Sequence, residues 1–133
     1  MKLNNKSPKK TKAQAMVEFA LAMTVFTLFV FGILEFGYVA WQKNGVANDA
    51  REGSRYAMVH GTRSGSTADS AAVANYVKSK TTLENSIVVV TTWTPDKEPG
   101  STVVVKVKHF VPRLGIFRAA HTDSSTSTSV VVF

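Results

Sequence analysis

Three histidines, nine carboxylates and many hydroxyls are the groups in this 133-residue chain that could do chemistry. Metal binding needs His or carboxylate ligands a turn or a few residues apart, and His60, His109 and His121 stand far apart in sequence. Acid–base work needs paired carboxylates. Asp49 and Glu52 are close on one helical surface, but Arg51 and Arg55 beside them read as a solvated ion-pair face. No Gly-x-Ser-x-Gly elbow is present. The loop Gly61-Thr-Arg-Ser-Gly-Ser-Thr67 has two glycines but lacks the Gly-Lys-Ser/Thr end of a phosphate cradle. With no Cys there is neither a thiolate site nor a disulfide frame. The residues therefore point to a non-enzyme without cofactor or metal.

One carboxylate is placed unusually. Glu18 opens, and Glu35 closes, the sixteen-residue uncharged run Phe19–Leu34. From Ala13 to Leu34 it is the single charge in 22 residues, with no Pro. As a helix that span is about 33 Å long, close to the roughly 30 Å of a bilayer's hydrocarbon. At mid-bilayer a carboxylate costs about 2.5–3.5 kcal/mol, and less near an interface. So Glu18 either sits at headgroup level near Lys12 or has a partner in the membrane. Glu35 falls at the opposite interface, and Tyr38 and Trp41 beyond it suit an aromatic belt.

The net charge of +7 belongs to the tail: residues 1–13 hold five Lys and no acid, leaving +2 for the rest. That excludes a basic nucleic-acid face. A basic tail before an apolar helix predicts the N-terminus in the cytoplasm and the rest of the chain across the cytoplasmic membrane. The tail either sets topology only or is a cleaved leader. A conventional signal peptide fits poorly, because no small-x-small site follows the run.

The helical register continues to a stop near Gly61. Two seven-residue series, Phe26-Ile33-Ala40-Ala47-Ser54 and Phe29-Phe36-Lys43-Ala50-Ala57, share one face, small beyond the membrane part apart from Lys43. It suits close approach of a sheet in the same subunit or of neighbouring helices; Glu52 and Arg55 are spaced to pair. A second helix is expected over about 68–79, N-capped by Thr67 with Asp69 in its first turn. Strands are expected at Ile87–Trp93, at the alternating Val103–Lys108, and at Ser125–Phe133. Thr94–Ser101 is turn composition. The expected fold class is α+β: a long N-terminal membrane-spanning helix continuing into a domain with a second short helix and a small antiparallel three-stranded sheet. The divisions are a basic leader at 1–13, a transmembrane part at 14–37 and an extracytoplasmic domain at 38–133. Leu114, Ile116 and Phe117 lie in the loop between the last two strands, where they cover the sheet or offer a partner-contact patch.

Three ordered blocks carry a resemblance. They are Ala13-Gln14-Ala15-Met16-Val17-Glu18-Phe19-Ala20-Leu21, Gly32-Ile33-Leu34-Glu35-Phe36-Gly37 and Ala50-Arg51-Glu52-Gly53-Ser54-Arg55-Tyr56-Ala57. Together they resemble the start, the membrane-exit segment and the following motif of the TadE-like pseudopilins of tight-adherence (Tad) pili, a branch of the type IV pilus systems. The resemblance is tight over residues 13–61. It implies a pilin-like domain, and cleavage between Ala13 and Gln14 by a prepilin peptidase, with Ala13 where the family usually has Gly. It also implies an assembly role for Glu18 and Phe19, Glu18 pairing with the new N-terminus of a neighbouring subunit. The implied partners are the cytoplasmic (inner) membrane, other pilin-like subunits, the peptidase, and the pilus ATPase and platform proteins. The implied function is that of a minor pilin or pseudopilin serving adhesion or secretion. The other class compatible with the sequence is an uncleaved, single-pass envelope domain that binds a protein or polysaccharide.

Overall fold

A computed structural model describes residues 10–83, 86–111 and 119–133. The element order is α1 (Lys10–Val59), α2 (Ser70–Lys80), β1 (Ile87–Thr94), β2 (Thr102–Val111) and β3 (His121–Val130). This is the α+β arrangement read from the sequence. The chain divides after Tyr38 into two compact units.

In the first unit, every side chain described from Lys12 to Leu34 is exposed. Phe19 is 66% and Phe36 74% accessible, so among the described residues nothing covers this apolar surface. The helix forms here because the stretch is rich in Ala, Leu, Met and Phe and has no Pro.

In the second unit, residues 39–59 of α1 pack with α2 on one face of an antiparallel β1-β2-β3 meander. Ile87 pairs with His109 and Thr94 with Thr102; Thr102 pairs with Val130 and Val111 with His121. The core is built mostly of valine: Val46 on α1, Val73 and Val77 on α2, Val103, Val105 and Val107 on β2, with Ala50, Ala57, Leu83, Ile87 and Val131 filling between them. Period-two alternation places the β2 valines on the helix side, each worth about 1.5–3 kcal/mol when fully buried.

Three features differ from expectation. Helix α2 starts at Ser70, capped by Asp69, whose carboxylate accepts the Ala72 N–H at 2.7 Å. The Thr67 hydroxyl instead donates to the Gly61 carbonyl. Strand β3 starts four residues earlier than expected and ends three earlier, at Val130, because Val131 and Val132 leave it for bonds with Gly100, Ser101 and the Met58 carbonyl at the end of α1. The buried face of α1 is Gln42, Val46, Asp49, Ala50, Gly53, Ser54 and Ala57. A strict seven-residue series misses half of it: Lys43 is exposed and Ala40 and Ala47 half-buried. A straight helix drifts about 20° per seven residues, so the stripe rotates off the series.

The helix ends where the backbone needs room. A side chain at Gly61 would overlap the Phe133 carbonyl oxygen and lie 2.8 Å from the Lys97 carbonyl oxygen. The Gly61 carbonyl accepts the Ser64 N–H and the Ser64 hydroxyl, closing the turn toward α2. Between β1 and β2, the Asp96 carboxylate accepts the Glu98 N–H and the Ser101 hydroxyl, and Gly100 supplies a φ of +96°.

Candidate functional site

The candidate site is α1 itself, read from its N-terminal end. The Ala13–Gln14 peptide lies within the helix. One turn on, the Gln14 side-chain amide donates to the Glu18 carboxylate at 3.1 Å. Both groups are exposed, as is Phe19. The Thr24 hydroxyl folds back on the Ala20 carbonyl at 2.8 Å, removing a polar group from an otherwise apolar surface. Among the described residues, a methyl added at Gly32 or Gly37 would meet nothing within 4 Å. Glu35 between them is half-buried, and Tyr38 and Trp41 are exposed.

This helix is long and apolar enough to cross a membrane, and its apolar window is not buried within the chain. For a soluble fold, so large an uncovered apolar surface would be a liability. In lipid it is the expected state of a spanning helix, whose backbone groups are all bonded internally.

The third block divides by face. Ala50, Gly53, Ser54 and Ala57 point into the domain, while Arg51 and Arg55 are exposed. Gly53 sits where a methyl would lie 2.8 Å from Val77 Cγ2 and 3.0 Å from Val105 Cγ1, so its lack of a side chain lets α2 and β2 close on α1. Ser54 spans to β3, its hydroxyl 2.9 Å from that of Ser127. Glu52 accepts the Tyr76 hydroxyl at 2.8 Å, which holds the phenol's pKa above its ordinary value. This tyrosine is the partner that Glu52 takes, rather than the Arg55 its spacing suggested. Tyr56 stacks between Tyr76 and His60, with centroids 4.2 and 4.1 Å away. The block thus splits into a close-packing face and an aromatic–carboxylate clasp that fastens α2 to α1.

Asp49 corrects the ion-pair face read from the sequence. It is buried, and its carboxylate accepts the Thr81 hydroxyl at 2.5 Å. Burial pushes this carboxyl above its ordinary value, partly offset by the Thr81 bond and the nearby His109. The histidines are also closer to acids than their sequence spacing suggested. The β2–β3 register sets His109 opposite Asp123, and His121 Nε2 lies 3.3 Å from Asp123 Oδ2. No sequence spacing could reveal the first of these, because strand pairing creates it. Among the described residues, no group of three or more His, Cys, Asp or Glu could hold a metal ion. Leu114, Ile116 and Phe117 lie outside the described residues.

Among the described residues, one helix is long and apolar enough to span a membrane, and it is followed by a short helix and a three-stranded antiparallel sheet. Residues 13–55 match the family model of TadE-like proteins, so the chain carries the TadE-like segment that its three blocks resemble. The match runs from the Ala13–Gln14 peptide into the third block and stops before α2 and the sheet. No curated protein and no solved structure matches the chain significantly.

Proposed function

We propose that this chain is a non-catalytic minor pilin or pseudopilin that assembles with other pilin-like subunits in building a Tad-type pilus used in adhesion or secretion. The observation that carries this reading is one coincidence. The TadE-like match covers the same helix whose first half has an apolar surface left uncovered by its own chain. In this reading the N-terminus is cytoplasmic, 14–37 span the cytoplasmic membrane, and the domain from 38 onward lies outside. A prepilin peptidase cuts between Ala13 and Gln14. An ATPase and membrane platform then drive the subunit from lipid into the assembly.

Glu18 supplies the pairing chemistry. After cleavage the new α-amino group is on Gln14, and Glu18 becomes the fifth residue of the mature chain. Within one chain the carboxylate has the neutral Gln14 amide as its contact. A neighbour's ammonium is a stronger partner in low dielectric, because a charge-assisted bond is roughly twice as strong as a neutral one. Lipid contacts are exchanged for helix–helix contacts at the same step. Gly32 and Gly37, open to their surroundings, allow another helix to approach closely.

The test uses two variants. Glu18→Leu removes a charge from the spanning segment, so insertion is unchanged or improved. It also strands the neighbour's ammonium, and breaking one side of a buried pair costs about 3–5 kcal/mol. Normal membrane levels with lost co-purification of other pilin-like subunits are expected, and Glu18→Gln shows most of the same defect. Wild-type co-purification in both variants refutes the assembly role.

A further inference from the structure

We propose that β3 is an edge at which two copies of this chain join, antiparallel, about a two-fold axis through Thr126. Strand β3 ends the sheet, and among the described residues no backbone group outside β2 bonds to Thr122–Val130. The edge is ten residues long and holds no Pro, Lys or Arg. Its outward residues Thr122, Ser124, Thr126, Thr128 and Val130 are exposed, and Ser125, Ser127 and Ser129 on the helix side are only half-buried. Such edges normally carry a blocking charge or a bulge. Here Asp123, with His121 Nε2 3.3 Å from its Oδ2, lies at one end and leaves 124–130 without a charged residue.

The other edge of the sheet is different. Helix α2 packs along β1, and the Ser70 hydroxyl donates to the Thr91 carbonyl at 3.3 Å. A strand that completes β3 must itself offer unpaired N–H and C=O groups. On β1 the Thr91 carbonyl is taken by Ser70, whereas among the described residues no backbone group outside β2 bonds to Thr122–Val130, so the edge that matches β3 is β3 of a second copy. Two identical edges can pair only isologously, which closes a dimer and stops further growth. Centred on the middle outward residue, the seam places Ser124 opposite Thr128, Thr122 opposite Val130 and Thr126 opposite itself. Hydroxyl pairs of this kind stabilise antiparallel neighbours, and no like charges face each other across the seam. The seam does not depend on whether Ala13–Gln14 is cleaved.

The chain contains no Cys, so single cysteines report contacts cleanly. Directly opposite residues have Cα atoms about 4.5–5.5 Å apart, within disulfide reach. In membranes holding the full chain, Thr126→Cys is expected to form a homodimeric disulfide on oxidation. Val88→Cys, exposed on the outer face of β1, serves as the non-seam control. Adding S124K with T128K to Thr126→Cys sets Lys opposite Lys twice, and dimer yield falls about two- to thirtyfold. Adding S124K with T128E makes both pairs opposite in charge and restores the dimer, which also shows that the fold tolerates S124K. The proposal is overturned if Thr126→Cys yields no more homodimer than Val88→Cys, if it cross-links only to another protein, or if the two charge variants give equal yields.

Discussion

Gly53 offers a quantitative test of how α1 meets the domain. In an exposed helix Gly→Ala stabilises by about 1 kcal/mol. At Gly53 the added methyl lies 2.8 Å from Val77 Cγ2 and 3.0 Å from Val105 Cγ1. Both valines are fully buried and stiff at χ1, so neither can swing aside. Overpacking of this kind costs about 1–3 kcal/mol, which outweighs or cancels the helical gain. Gly45 is the internal reference. It carries the same propensity gain, but its nearest neighbour is Leu83 Cδ2 at 3.2 Å, the far end of a flexible side chain. The difference between the two variants removes the propensity term and isolates packing, about 1–3 kcal/mol. For a domain of this size 1 kcal/mol moves Tm by about 4–8 °C. Near-UV circular dichroism melts of the full chain in detergent are expected to place Gly53→Ala at least about 4 °C below Gly45→Ala, given that conversion. Equal melting of the two variants would refute the close packing of α1 against α2 and β2.

Gly61 and Asp49 test the same domain in two other ways. Gly61→Ala drives a methyl into backbone oxygens of Phe133 and Lys97 that cannot rotate away, so it costs about 3 kcal/mol and melts below Gly53→Ala; a melt at or above wild type contradicts the helix stop. For Asp49, burial raises the folded-state carboxyl above 3.8, so the fold binds this proton more tightly than the unfolded chain. Its stabilising share is present below 3.8 and is lost as pH rises through the raised value. Asp49→Asn keeps an acceptor for Thr81 and removes the titration. Its Tm is therefore expected above wild type near neutrality, with the gap closing on acidification; a constant gap or one that widens in acid contradicts the assignment.

The elements whose signals are local were legible in the sequence. The α1 span follows from a long uncharged run without Pro, and β2 from the alternation of Val103, Val105 and Val107 with Val104, Lys106 and Lys108. The meander follows from the short connections between strands. What the sequence left hidden depends on contacts between distant segments. Asp49 looked solvated because Arg51 and Arg55 lie near it in sequence, yet it faces Thr81, 32 residues on. The bond from Tyr76 to Glu52 replaced the expected i,i+3 pair for the same reason. Strand β3 is so uniformly Ser and Thr that its limits are set by the Val131 and Val132 bonds to other segments, not by its own composition. Asp69 and Thr67 are both competent caps, and the turn from Gly61 decides between them by occupying the Thr67 hydroxyl. In the candidate site, the helix face carrying Ala50, Ser54 and Ala57 was legible as small, but the clasp of Glu52, Tyr56 and Tyr76 was not, because Tyr76 comes from α2.

The central claim is that α1 belongs to a processed, assembling subunit, and its most direct test is the N-terminus of the chain purified from membranes that contain the prepilin peptidase. Intact-mass analysis is predicted to show a chain starting at Gln14, with a free α-amino group four residues before Glu18. A stable chain that still begins at Met1 in the presence of the peptidase would contradict the account and leave α1 as a permanent anchor.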